Sequence, residues 1–257
     1  MSYENVSVET LKADVLPALF REPSTIGEYG AVESNAGALD EFSNLMEGGA
    51  VTALAIKISQ IVASLSDADP QKIVEKPSWV ARVLGGNVET KVRYQVARKS
   101  LETQLEEAQG VAQRVRDTLR SLDQMMIAHQ SQAERVRLYI VAGREYLDEN
   151  PDAGVYAAGS MEFDRPRERF ARKLANLETL LSSHGMSVTQ MKLTRAQAVD
   201  MLDRFSETAS VLVPVWRQHT LALITTKNMS PELVAEATRA HSALMRSLSS
   251  SLEVVKH

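Results

Sequence analysis

The amino-acid sequence predicts an all-α protein, an extended antiparallel bundle of long helices with a coiled-coil-like spine over about residues 88–149. Aromatic residues make up only 5% of the chain, which favours helices over sheets. The spine segment contains no proline, and its only glycines are Gly110 and Gly143. Along it runs a stripe with alternating spacings of four and three residues, typical of a helix that lies along partner helices. The stripe comprises Leu101, Leu105, Ala108, Ala112, Val115, Leu119, Leu122, Met126, His129, Ala133, Val136, Ile140, Gly143 and Leu147.

The first 50 residues form the least regular part of the sequence. Apolar spacing from Val8 to Leu19 predicts a short helix that Pro17 kinks or ends, and residues 21–25 have the composition of a loop. Apolar residues from Val51 to Leu65 follow the helical i, i+3, i+4, i+7 pattern. We therefore expect an irregular, short-helical N-terminal segment over residues 1–50 and one elongated helical domain over residues 51–257.

Glycine and proline predict the boundaries of the later helices. The spine should end at Asn150-Pro151, because proline disfavours a helical conformation in the residue before it. Pro166 suits the first turn of the next helix. His184-Gly185 is expected to end that helix, so that another begins at Ser187 or Thr189.

Two further prolines lie in the C-terminal part. Pro214 is expected to kink the helix that contains it. Ser230-Pro231 has the residue types of a helix cap and first turn, which predicts one last helix.

Composition excludes several classes of function. The formal charge of -4 provides no general attraction to nucleic acid or anionic lipid, so no nucleic-acid partner is expected. The chain has no cysteine, which excludes disulfides, thiolate metal sites and a thiol nucleophile. No 18-residue apolar run and no signal-peptide pattern is evident. These observations predict a cytoplasmic protein.

No motif for catalysis or for a cofactor is recognisable. Phosphate-binding glycine patterns and the H-E-x-x-H pair are both absent. No histidine has a second one within two helical turns, and those at 129, 219 and 241 lie on apolar stripes, so we expect partly buried, hydrogen-bonded side chains. Neither a cofactor nor a metal is expected, and we interpret the chain as a non-enzymatic protein.

Clustered acidic residues are the nearest approach to a cation site. One group contains Glu145, Asp148 and Glu149. A second contains Asp200, Asp203 and Glu207. Their helical spacing puts each group on one face, where it could share a hard cation, but a solvated helix face is the favoured interpretation.

The densest basic run is a candidate for anion contact. Its members are Arg165, Arg167, Arg169, Arg172 and Lys173. Acidic residues at 162, 164 and 168 are interleaved with them, so a surface helix crossed by salt bridges is the favoured alternative.

A second candidate surface surrounds the tryptophan in the connector before the spine. Trp79 and Val83 are apolar and Arg82 is basic, a combination that suits contact with a membrane interface or a partner. The segment is short, so docking of the tryptophan on the bundle is the favoured alternative.

Three stretches resemble the toxic-anion-resistance proteins, the TelA family of tellurite-resistance proteins. They are Ile-Gly-Glu-Tyr-Gly-Ala at 26–31, Arg-Leu-Tyr-Ile-Val-Ala-Gly-Arg-Glu-Tyr-Leu at 137–147 and Leu-Val-Pro-Val-Trp-Arg at 212–217. The chain is shorter than typical members, and its size and opening residues resemble a plasmid-encoded member from a locus for tellurite resistance and host growth inhibition. The resemblance implies a helical, cytoplasmic protein that acts with co-encoded resistance proteins, and it implies no catalytic residues.

Three functions remain open from the sequence. The first is a tellurite-resistance protein that acts as a non-enzymatic interaction scaffold, with self-association as one of its modes. The second is a peripheral protein that remodels or protects the inner face of the membrane. The third is a binder of metal ions or oxyanions. Cellular tellurite is reduced mainly by thiols, so a chain without cysteine is not expected to be a thiol-dependent reductase.

Overall fold

The computed structural model describes residues 7–31, 49–68, 87–155 and 165–225, together with seven helical residues between 232 and 243. All regular structure in these residues is helical, which confirms the predicted all-α class. In chain order the elements are α1 (Val8–Thr10), a π-helical turn (Leu11–Val15), α2 (Leu16–Arg21), a 3₁₀ helix (Pro23–Glu28), α3 (Ala50–Asp67), α4 (Asn87–Glu149), α5 (Pro166–Glu207), a second π-helical turn (Thr208–Leu212) and α6 (Val213–Thr225).

The chain divides into two compact units, and both α4 and α5 contribute to each of them. The first unit comprises Met1–Glu47 and Arg120–Arg195, and the second comprises Gly48–Leu119 and Ala196–His257. The domain boundary expected at residue 50 stays a prediction, because a compact unit and an independently folding domain are different properties.

In the first unit, the C-terminal part of α4 packs against α5 and the N-terminal segment. The two long helices run antiparallel, since Gly143 faces Phe170 while Asp123 pairs with Arg195 at 2.8 Å. Aromatic rings from all three parts meet at centroid distances of 5.0 to 5.6 Å. The buried apolar core is formed by Leu11, Leu16, Leu19, Ile26, Tyr29, Val136, Tyr139, Ile140, Ala142, Phe170, Leu174 and Leu177.

In the second unit, α3, the N-terminal part of α4, the end of α5 and α6 enclose a core around Trp216. The Trp216 ring stacks on Tyr94 at 5.8 Å, and its indole Nε1 donates a hydrogen bond of 2.8 Å to the Ala68 carbonyl. Helix α3 is long and apolar enough to cross a membrane by length and composition. Its residues Leu54, Ile58, Ile61, Val62 and Leu65 are buried in this core, which amounts to 28% of the helix.

The predicted spine is confirmed as a single helix of 63 residues. Every member of the stripe from Leu101 to Leu147 is buried or half-buried, so the 3.5-residue spacing identified the face that packs. The helix ends at Glu149, directly before Asn150-Pro151, as expected.

The predicted helix end at His184-Gly185 is wrong. Helix α5 continues from Pro166 to Glu207, and the expected start at Ser187 or Thr189 lies inside it. A glycine inside a helix costs only about 1 kcal/mol. Burial of His184 on one side and Met191 on the other holds the helix against the rest of the unit, and this packing outweighs the local cost.

Each π-helical turn comes shortly before a proline. The Leu16 N–H binds the Leu11 carbonyl and the Val213 N–H binds the Thr208 carbonyl, both five residues earlier. Pro17 and Pro214 follow directly, and a widened turn relieves the contact between a proline ring and the preceding turn. The expected disturbances at these prolines therefore take the form of π-helical turns.

The prediction of a loop over residues 21–25 is wrong in part, because the chain forms a 3₁₀ helix from residue 23.

Candidate functional site

Arg167, from the predicted basic run, caps the C-terminus of α4. Its guanidinium donates to the Leu147 carbonyl at 2.8 Å and to the Asn150 carbonyl at 2.9 Å. The last carbonyls of a helix have no partner within the helix and carry partial negative charge. Arg167 therefore stabilises the start of the turn between α4 and α5.

Other members of the run also have partners in the chain. Lys173 donates to the Gly27 carbonyl at 2.8 Å, and Arg165 pairs with Glu168 at 3.1 Å. The remaining two arginines are half-buried and exposed on α5. Arg167 and Lys173 thus link α5 to the end of α4 and to the N-terminal segment. Anion contact by Arg165, Arg167, Arg169, Arg172 and Lys173 stays a prediction.

The second predicted surface cannot be placed. Trp79, Arg82 and Val83 lie outside the described residues. Contact of this segment with a membrane or a partner therefore stays a prediction.

The acidic cluster at the end of α4 binds a lysine from the N-terminal segment. The Lys12 ammonium lies 3.0 Å from Glu145 and 2.5 Å from Glu149. Hydrogen bonds to Glu149 and Glu145 raise the pKa of Lys12 above its usual value. In the second cluster, Asp200 accepts from Arg204 at 2.8 Å. Within the described ranges, no three His, Asp or Glu side chains are grouped so that they could hold a metal ion.

A pair of buried histidines is the feature that the sequence analysis missed. The Nδ1 atoms of His129 on α4 and His184 on α5 are 2.9 Å apart. The two side chains are 3% and 5% exposed, and their rings meet edge to face at 5.2 Å. His129 was expected to be buried and hydrogen-bonded, but its partner was not recognised because His184 was assigned to a helix end.

The distance identifies a hydrogen bond between the two rings. A separation of 2.9 Å is a normal N–H···N hydrogen bond, so one Nδ1 carries a proton and the other accepts it. The His129 Nε2 is buried without a hydrogen-bond partner. Burial, and to a smaller extent the neighbouring His184, lower the pKa of His129 below its ordinary value. Burial therefore favours the neutral form of His129.

An exposed apolar strip lies near the start of α4. Val92 and Val96 are one helical turn apart and are 55% and 65% exposed. Lys91, Gln95 and Lys99 line the same shallow groove. We call this surface the Val92–Val96 strip. Val92 and Val96 also line an adjoining groove with Ser64 of α3 and Leu101, at the edge of the core of the second unit.

The helices described above identify the chain as an all-α bundle protein. No family model matches the chain, and no solved structure matches it. It is 70% identical over 253 residues to Protein KlaA of Escherichia coli, and the match covers 98% of each sequence. The chain belongs to the KlaA family. This confirms the plasmid-encoded relative expected from the size and the opening residues. The roles of its locus in tellurite resistance and growth inhibition stay predictions, as does the wider likeness to the toxic-anion-resistance proteins.

Proposed function

We propose that this KlaA-family protein is a plasmid-type tellurite-resistance protein that acts as a non-enzymatic helical scaffold for co-encoded partners. It works in the cytoplasm and supports resistance by binding other proteins. Its role in host growth inhibition follows from the same contacts.

The observation that carries this proposal is the Val92–Val96 strip. Isolated exposed apolar residues are ordinary, but here two valines lie side by side on a regular helix. An apolar patch with a polar rim is typical of a protein-binding surface. A rigid helix also presents such side chains without a loss of conformational entropy on binding.

The charges beside the strip indicate the chemistry of the partner. Lys91 and Lys99 lie on either side of the valines along the groove. Arg98 is close in sequence but is engaged with Glu102 at 2.7 Å. A complementary partner surface would present apolar side chains flanked by carboxylates, so that desolvation and charge favour the same docked arrangement.

The test uses cells that carry the whole locus, with this gene deleted and then supplied as wild type or as the double variant Val92→Glu/Val96→Glu. We expect deletion to abolish tellurite resistance. The double variant should capture co-encoded proteins at least about tenfold more weakly, since a loss of about 1.4 kcal/mol in binding has that effect. The lowest inhibitory tellurite concentration measures the first result, and affinity purification with mass identification measures the second.

A matched control carries the same added charge elsewhere. Ile127 and Met186 are 67% and 69% exposed and lie in the first unit. The variant Ile127→Glu/Met186→Glu should retain partner capture and resistance. Unchanged resistance after deletion would refute the proposed function, while equal losses in both double variants would refute the assignment to the strip.

A further inference from the structure

We infer that the His129–His184 pair is a pH-sensitive latch between α4 and α5 of the first unit, closed while His129 is neutral and weakened when His129 is protonated. This inference is independent of the proposed scaffold function. It concerns how firmly two helices of one unit are held together, and it is tested without knowledge of any partner.

The geometry fits a shared proton better than a shared metal. Zinc binds histidine nitrogen at 2.0–2.1 Å in a tetrahedral arrangement, which separates two ligand nitrogens by about 3.3 Å. The two Nδ1 atoms are 2.9 Å apart, the length of an N–H···N bond. The described residues also supply no group of three His, Asp or Glu ligands.

Protonation of His129 opposes the packing whichever ring donates the shared proton. If His129 donates its Nδ1–H, the added proton goes to its own buried Nε2, which keeps the hydrogen bond but creates a buried positive charge. If His184 donates, the added proton must occupy the Nδ1 of His129, so two N–H groups face each other and the hydrogen bond is lost. Either change weakens the packing of α4 on α5.

No carboxylate of the described residues offsets this cost for His129. Met125 and Met126 lie one turn away on α4, and burial and His184 both lower the pKa of His129. Along α4 and α5 the acids nearest in sequence to the pair have partners. They are Asp123 with Arg195, Glu134 with Arg137, and Glu178 with Arg144.

The direction of the pH dependence follows from these facts. The ring of His129 has an ordinary pKa of 6.5 and a lower pKa when it is packed. Between these two values the opened state binds more protons than the closed state. The latch is therefore fully effective above about pH 7.5, and it weakens as pH falls through 6.5 towards the pKa of the packed ring.

Amide hydrogen exchange of the full-length protein at pH 7.5 and pH 5.5, corrected for intrinsic exchange rates, tests this inference. We expect the opening equilibrium around residues 125–133 and 180–188 to rise at pH 5.5, by up to about tenfold for one ring that is protonated only when open. The variant His129→Gln/His184→Gln should lose this dependence. His219→Gln, which removes a half-buried histidine in the second unit, should retain it.

Two further measurements on the wild type keep the test independent of whether the double variant folds. Ring nitrogen shifts in nuclear magnetic resonance should show His129 titrating below pH 6.5, and titration at or above that value would overturn the latch. Opening that does not change with pH would also overturn it. Zinc should leave exchange at both sites unchanged, and zinc-dependent protection would reassign the pair as a metal site.

Discussion

The two units use parts of the same helix, α4, to build cores of different kinds. In the second unit the stripe members are apolar, and the core centres on the large ring of Trp216. The two stripe members of a different type, His129 and Gly143, both fall in the first unit. There His129 binds His184, and Gly143 lets Leu174 and Phe170 approach the α4 backbone.

The difference teaches how to interpret a long helical stripe. Apolar residues of the stripe predict that a helix face is buried, but they could pack against many different apolar side chains. Exceptions to the pattern are specific, because a buried histidine needs one matching polar atom and a buried glycine leaves room for one particular side chain. The first unit should therefore respond to small changes at its exceptions, and the second unit to loss of its largest ring.

The largest loss of stability is expected for Trp216→Ala in the second unit. The side chain is 1% exposed, stacks on Tyr94 and donates to the Ala68 carbonyl. Its removal leaves a cavity and an unsatisfied carbonyl, so the free energy of unfolding should fall by about 3–5 kcal/mol. Urea denaturation followed by circular dichroism measures the change.

The control for this variant is Trp216→Phe, which keeps most of the ring. It loses the indole hydrogen bond and should cost about 0.5–1.5 kcal/mol from that source. If Trp216→Ala were as mild as Trp216→Phe, the ring would not be the centre of the second core.

A smaller loss is expected for Gly143→Ala in the first unit. An added Cβ would lie 2.6 Å from the Leu174 Cδ2 and 3.0 Å from the Phe170 Cζ. Both side chains are buried among aromatic neighbours, so they can move only by disturbing that core. Overpacking of this kind should lower the free energy of unfolding by about 1–3 kcal/mol.

Two variants sharpen this result. Gly110→Ala lies on the same helix with no atom within 4 Å of the added Cβ, and it should not destabilise the chain. Gly143→Ala/Leu174→Val, which shortens the opposing side chain, should recover part of the loss. Equal effects of Gly143→Ala and Gly110→Ala would mean that close approach of the helices is unimportant.

The helix class, the spine and its buried face could be predicted because each depends on a pattern within one segment. Gly143 belongs to the predicted packing stripe, but the side chains that fill the space beside it come from another helix. Contacts between distant segments could not be predicted in the same way. Arg167 was placed in a candidate anion surface, because nothing in the sequence shows that its guanidinium reaches the carbonyls at the end of α4.

The Val92–Val96 strip had a signal that could have been recognised. Tyr94, Ala97 and Leu101 extend the stripe towards the N-terminus. Val92 and Val96 lie two residues before and two residues after Tyr94, which places them off the packing face. Apolar residues off the stripe of a regular helix predict an exposed apolar surface. The histidine pair was harder to predict, because His129 and His184 can meet only if α5 continues through Gly185.

The smallest change in the free energy of unfolding is expected for Gly185→Ala, and this change is an increase. The residue is exposed within α5, and an added Cβ would meet no atom within 4 Å. Alanine restricts the unfolded chain and favours the helix, so the free energy of unfolding should rise by about 0.5–1 kcal/mol. Because Gly185 follows His184 directly, a stiffer helix should also leave the latch closed at pH 7.5. Destabilisation by this alanine would mean that the chain needs glycine here, and that the break expected from the sequence exists in solution.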